Sequence, residues 1–204
     1  MPRAATRREL LQRGIAAGGL TLVGRAVLTP AAAPAAVAPA PAASDADIVT
    51  RLLRLERLLL FIYENVLASS MISSPTRQAL APLQSQEEAH IAALTVALRR
   101  LGGIPPAGPA NIAAANKDLS GRRVKGRLGQ LRGQRDALRL LAAIEHVVVG
   151  AYYVSMLELA DPGVLRLSAE IMGSEAQHGT VITLLLHPGV PTAAAPYALV
   201  QGRH

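Results

Sequence analysis

The feature that most constrains this chain is a set of acidic residues placed where an apolar core is expected. Glu87-x-x-His90 lies in the first half and Glu175-x-x-His178 in the second, and each is preceded by an isolated Glu, Glu56 or Glu145, inside a strongly apolar run. The separations nearly repeat, at 31 residues from Glu56 to Glu87 and 30 from Glu145 to Glu175. A carboxylate on an apolar helix face has to be paired, protonated or bound to a cation, because leaving it alone there is costly. Two copies of Glu followed by Glu-x-x-His are what a dinuclear metal site in a four-helix bundle requires.

The apolar periodicity predicts four helices, over about 48–69, 76–101, 134–160 and 164–186. Asp45 or Asp47 is the expected cap of the first, and Glu56 shares a face with Leu52, Leu59, Leu60 and Tyr63. Ser73-Ser74-Pro75 and Asp161-Pro162-Gly163 read as tight connections, so the helices form two antiparallel hairpins. Between the hairpins, 102–133 is rich in Gly, Pro and Ala and then in basic residues, and reads as a long crossover with some helical turns. One Phe and no Trp leave a core of Leu, Ile, Val and Ala, which suits close-packed helices.

Distances from the turns test the ligand set. Glu56 lies 13 residues before Ser69 and Glu87 lies 11 after Thr76, while Glu145 lies 15 before Ala160 and Glu175 lies 11 after Val164. Each lone Glu therefore faces the Glu-x-x-His of its own hairpin. Glu64 sits about 9 Å too far along the axis and is expected on the surface. The i,i+3 spacing puts Glu87 with His90, and Glu175 with His178, on one face each, and turns Glu88 away. The candidate metal ligands are Glu56, Glu87, His90, Glu145, Glu175 and His178, with Glu87 and Glu175 expected to bridge two ions. Carboxylate and imidazole donors fit iron, manganese or zinc, and the expected occupants are two iron or two manganese ions. Tyr63 and Tyr152 each follow a lone Glu by seven residues and are the candidate catalytic residues, as hydrogen-bond or electron donors. His146 and His187 are expected at the surface or at a helix end, and His204 is terminal.

Cysteine is absent, which excludes disulfides, thiolate metal sites and cysteine nucleophiles. The formal charge of +7 is concentrated at the start, where Arg3, Arg7, Arg8, Arg13 and Arg25 stand against Glu9. No aromatic residues interleave with the basic residues of the crossover, so those are read as a solvated face and no nucleic-acid partner is expected. Thr6-Arg7-Arg8-Glu9-Leu10-Leu11, followed by a short apolar run, resembles a twin-arginine export signal. That resemblance implies a signal peptide over 1–35, an Ala/Pro-rich linker over 36–46, a bundle over 47–190 and a tail over 191–204. It also implies recognition by the twin-arginine machinery, a periplasmic or extracellular destination and no stable transmembrane span in the mature chain.

From about Asp45 to Pro191 these motifs resemble the exported bacterial ferritin-like domain proteins of the ferritin-like superfamily. The resemblance implies an all-α antiparallel four-helix bundle with a long crossover between helices two and three. It also implies dinuclear iron or manganese redox chemistry with dioxygen or peroxide, of a ferroxidase or peroxide-detoxifying type. No short fifth helix is evident, so a 24-subunit shell is not expected, and a homodimer is left open. Lacking a four-cysteine electron-transfer module, the chain would need an unidentified external electron donor. The competing expectation is a metal-free structural or protein-interaction bundle.

Overall fold

A computed structural model describes residues 43–194. The expected signal peptide and most of the linker, and the tail beyond Ala194, lie outside the described residues. Among the described residues the elements are α1 (Asp45–Ala68), α2 (Ser74–Arg100), α3 (Ile112–Gly121), α4 (Gln134–Met156), α5 (Pro162–Leu186) and a 3-10 turn over Pro191–Ala194, with no strand.

Local chemistry sets where the helices begin. Ser44, rather than Asp45 or Asp47, caps α1: its Oγ accepts from the Asp47 amide while the Asp47 carboxylate accepts from the Ser44 amide, forming a reciprocal capping box. Asp161 Oδ1 accepts from the Val164 amide, and Pro162 fills the first turn of α5, where a missing N–H costs nothing. Pro75 does the same for α2, so both helices start slightly earlier than the apolar pattern alone suggests. Pro82 lies inside α2, which continues through it.

Three cross-links reveal the directions of the helices. Gln134 at the start of α4 accepts from the Ser73 amide beyond the end of α1. Asp45 at the start of α1 accepts from the amides of Ala160 and Asp161 beyond the end of α4. Arg100 at the end of α2 pairs with Asp161 at the start of α5 at 2.9 Å. Hence α1 runs antiparallel to α4, and α2 antiparallel to α5. The hairpins α1–α2 and α4–α5 pack through α1 on α4 and α2 on α5, giving a square bundle.

The crossover travels the length of the bundle along the outside of α1. Asn111 caps α3 through the Ala114 amide, and Ala115 and Leu119 of α3 are fully buried in the common core. This explains why α1 buries twelve residues over a wide arc: it is covered by α2, by α4 and by the crossover helix. The return loop is held by Asn116, which donates to the Leu128 carbonyl and accepts from the Leu128 amide. Gly126 has φ of +111°, and a Cβ there would lie 3.2 Å from Leu140 Cδ1, so the loop needs glycine at its closest approach to α4.

The expected third helix over 134–160 stops at Met156 instead. No local breaker precedes Asp161-Pro162; the turn that follows the helix is held by Asp45, whose carboxylate accepts from the Ala160 and Asp161 amides 115 and 116 residues away. By length and mean hydropathy, 1.4 over its most apolar stretch, α4 could cross a membrane, but it carries the buried Glu145 and packs on α1 and α5 as a bundle helix. Asp45→Ala would leave two turn amides without their charged acceptor. It should lower stability to chemical denaturation by about 1–3 kcal/mol; an unchanged denaturation midpoint would remove Asp45 from its assigned role.

Candidate metal centre

All six sequence-derived ligand candidates meet in the middle of the bundle. Glu56 comes from α1, Glu87 and His90 from α2, Glu145 from α4, and Glu175 and His178 from α5. They form two overlapping groups, Glu56-Glu87-His90-Glu175 and Glu87-Glu145-Glu175-His178, each with donor atoms all within 4.8 Å of one another. Glu87 and Glu175 belong to both groups, the sharing that their expected bridging position requires. Glu64, Glu88 and His146 are exposed, as their helical phase dictates.

The four carboxylates are essentially inaccessible to solvent, as is His178, while His90 is 9% exposed and forms the one edge of the cluster open to water. The imidazole rings lie nearly parallel, with centroids 5.8 Å apart. His90 Nδ1 is 2.7 Å from Glu175 Oε1, and His178 Nδ1 is 2.8 Å from Glu87 Oε1. No lysine or arginine pairs with any of these carboxylates among the described residues.

The tyrosines do something the sequence does not show. Each donates to the lone Glu of the opposite hairpin: Tyr63 of α1 to Glu145 Oε1 and Tyr152 of α4 to Glu56 Oε1, both at 2.5 Å. Both rings are fully buried. The exchange follows from the antiparallel packing of α1 on α4: seven residues after Glu56, the chain has reached the level of Glu145 on its partner helix. Burial, reinforced by the acceptor Glu145 or Glu56, pushes each phenol well above its usual range, so both hold their protons.

Two contributors were not identified from the spacing. Gln86 Oε1 lies 2.6 Å from His178 Nε2, and Ser174 Oγ lies 3.3 Å from both. The signal was present, since Gln86 and Ser174 stand four residues before His90 and His178 and so share their helix faces. Only the packing of α2 on α5 shows that Gln86 serves the histidine of the other helix.

The donor set fits two divalent cations. Among the described residues, ten buried side-chain polar atoms make no conventional hydrogen bond and eight of them belong to these six residues; four of the eight, Nδ1 of each histidine with Glu175 Oε1 and Glu87 Oε1, meet one another as ion pairs at 2.7 and 2.8 Å. Native interiors rarely leave such atoms unsatisfied, and here they converge on shared space. Oxygen and imidazole nitrogen donors without thiolate suit iron, manganese or zinc.

Without cations, protons have to balance the charge. Burial drives Glu56 up to about 8, with Glu175 and Glu87 adding to it and His90 opposing. Glu145 is likewise pushed well up, by burial and then by Glu175. Burial works against charge on both histidines, but the carboxylates around them outweigh it and lift His90 to about 11 and His178 to about 9. The same imidazoliums overcome burial at Glu175 and hold it down at about 2. In protein stripped of divalent ions by a chelator, the Glu175 contribution to stability is present above its unfolded value of 4.5 and is lost as pH falls toward 2. The contributions of Glu56 and of the two histidines, whose folded values are raised, are present in acid and are lost as pH climbs through 8 to 11. Chelator-treated protein should therefore melt highest on the acid side of neutrality. Added Mn(II), which needs deprotonated ligands, should stabilise it increasingly as pH rises. Thermal melts across pH with chelator and with Mn(II) check this; identical profiles would contradict it.

The model of the ferritin-like domain family matches residues 44–188, which contain all five helices and every residue of the cluster. Among solved structures, the chain is similar to a hypothetical protein from Methanococcus jannaschii DSM 2661, with a TM-score of 0.56 at 14% identity, covering 74% of this chain and 84% of that one. At that identity the likeness speaks to the fold alone. No curated protein matches the chain. A family match over most of the sequence, with its helices ordered into two hairpins and a long crossover, establishes that the chain belongs to the ferritin-like domain family.

Proposed function

We propose that this chain binds a dinuclear iron or manganese centre and carries out redox chemistry with dioxygen or peroxide, of a ferroxidase or peroxide-detoxifying type. The observation that carries the reading is the convergence of four buried carboxylates and two imidazoles from four helices on one space that no lysine or arginine neutralises among the described residues. A purely structural bundle has no use for such a cluster. Replacing buried charges by apolar side chains of similar volume is often neutral or stabilising, so four glutamates in the core are a stability cost that ion binding would offset.

Glu56 and His90 would hold one ion, Glu145 and His178 the other, and Glu87 and Glu175 would serve both. Such a pair, when bound, supplies one-electron steps toward dioxygen or peroxide. The protein's own contribution is positioning and exclusion. Tyr63 and Tyr152 fix the orientation of Glu145 and Glu56 and keep a proton beside each carboxylate. The surrounding Leu, Ile and Val side chains keep bulk water away, and the slightly exposed His90 marks the side from which a small oxidant reaches the centre. Electrons come from Fe(II) as substrate or from an external donor, since the chain has no cysteine to carry them.

The proposed destination is the periplasm or the exterior by the twin-arginine route, supported by Arg7-Arg8 and the leucines that follow. Replacing both arginines by lysine should leave full-length protein in the cytoplasm.

Protein folded in the cytoplasm should contain about two iron or manganese ions per chain by elemental analysis, the number the dinuclear motif provides for. Changing Glu87 and Glu175 together to Ala should abolish binding without unfolding the bundle; unchanged metal content in that variant, or none in the wild type, defeats the metal reading. Tyr152→Phe should retain the ions but slow oxygen consumption after anaerobic Fe(II) loading by about 10- to 100-fold, the usual effect of removing a group that orients a ligand.

A further inference from the structure

The two halves of the cluster repeat in sequence but not in surroundings. His178 is fully buried, and its Nε2 lies 2.6 Å from Gln86 Oε1. A carbonyl oxygen only accepts, so at this distance the ring nitrogen has to donate, and Nε2 carries the proton. Nδ1 is thereby the nitrogen that faces Glu87 and Glu175, and the one left to ligate an ion when its own proton is displaced. Ser174 closes the arrangement by donating to the same Gln86 oxygen.

The hairpin repeat assigns Ser174 the position on α5 that Gln86 holds on α2, one residue before the Glu and four before the His. A serine hydroxyl is too short to span to the opposite ring as the glutamine does, and it turns to Gln86 instead. No comparable bond anchors the outer nitrogen of His90 among the described residues, and His90 is the ligand candidate at the open edge. Gln86 itself is exposed, and its side-chain oxygen is shared between His178 and Ser174.

Resting on the dinuclear reading above, we propose that Gln86 is a positioning residue that makes the two ion positions unequal. It holds His178 in its ligating tautomer so that the Glu145-His178 position binds tightly, whereas the Glu56-His90 position, whose imidazole is unanchored and reached by solvent, is the weaker and more readily exchanged one. The ion in the Glu56-His90 position is the one that leaves and returns. An exchangeable position beside the open edge suits uptake of Fe(II) as substrate, with the anchored position retaining its ion.

Mn(II) is the probe, because electron paramagnetic resonance of the free aqueous ion counts unbound metal directly. Wild-type protein should titrate in two steps of different affinity. Gln86→Leu should weaken the tighter step by about 10- to 100-fold, the typical effect of losing a ligand's hydrogen-bond partner, and leave the weaker step unchanged. Gln86→Glu, which keeps an acceptor oxygen, should restore it. In a His178→Ala background Gln86→Leu should have no further effect on the ion that remains, whereas in a His90→Ala background it should still weaken it. Equal weakening of both steps, no change in either, or persistence of the effect without His178 would overturn the proposal while leaving the dinuclear centre standing. Failure of the wild type to take up Mn(II) would overturn both.

Discussion

Everything in this bundle is arranged around the electrostatic problem of four carboxylates in a dry core. Glu56, Glu87, Glu145 and Glu175 lie in the apolar core, with two imidazoles as their only cationic neighbours among the described residues and two phenols as hydrogen-bond donors. Charges this deep cannot be left unbalanced. Protons relieve the problem in part, by neutralising Glu56 and Glu145 and charging the histidines, but one oxygen of each of the four glutamates still makes no hydrogen bond. Divalent cations satisfy the same atoms more completely, and the tightness of the surrounding core keeps the donors close enough together to receive them.

The fold supplies that tightness in an asymmetric way. A hairpin pair alone would leave the outer face of α1 exposed, yet α1 is the most apolar of the helices in its pattern of burial. The crossover covers that face with α3 and returns over α4 through Gly126 and the Asn116 clasp. At the ends, Asp45, Gln134 and Arg100 tie the helix starts and stops to one another. The centre of the bundle is thus fixed from its ends, and the ligand helices have little freedom to spread.

The six ligand candidates were legible in the sequence because burial of charge at helical spacing is a local pattern, and their heights along the hairpins could be counted from the turns. Glu64 and Glu88 were separated from them by the same arithmetic and are exposed. Features that depend on contact between distant segments were not legible. The turn after α4 is held by Asp45, the tyrosines bond to the opposite hairpin, and Gln86 reaches a histidine 92 residues away. The cap at Ser44 and the helix α3 had local signals of their own, a reciprocal Ser-x-x-Asp and a lone Asn before an Ala run, that apolar periodicity passes over.

The exchanged tyrosines also govern how the two hairpins can move. Sliding one hairpin along the other by a single helical turn, about 5.4 Å, would part Tyr63 from Glu145 and Tyr152 from Glu56 together and leave two phenols and two carboxylates buried without partners. The packing of leucine on leucine tolerates such slips, but these two bonds do not. They act as a pair of keys that admits one longitudinal alignment of the halves, so the bundle is held to a single assembly even though its two hairpins are near copies of each other.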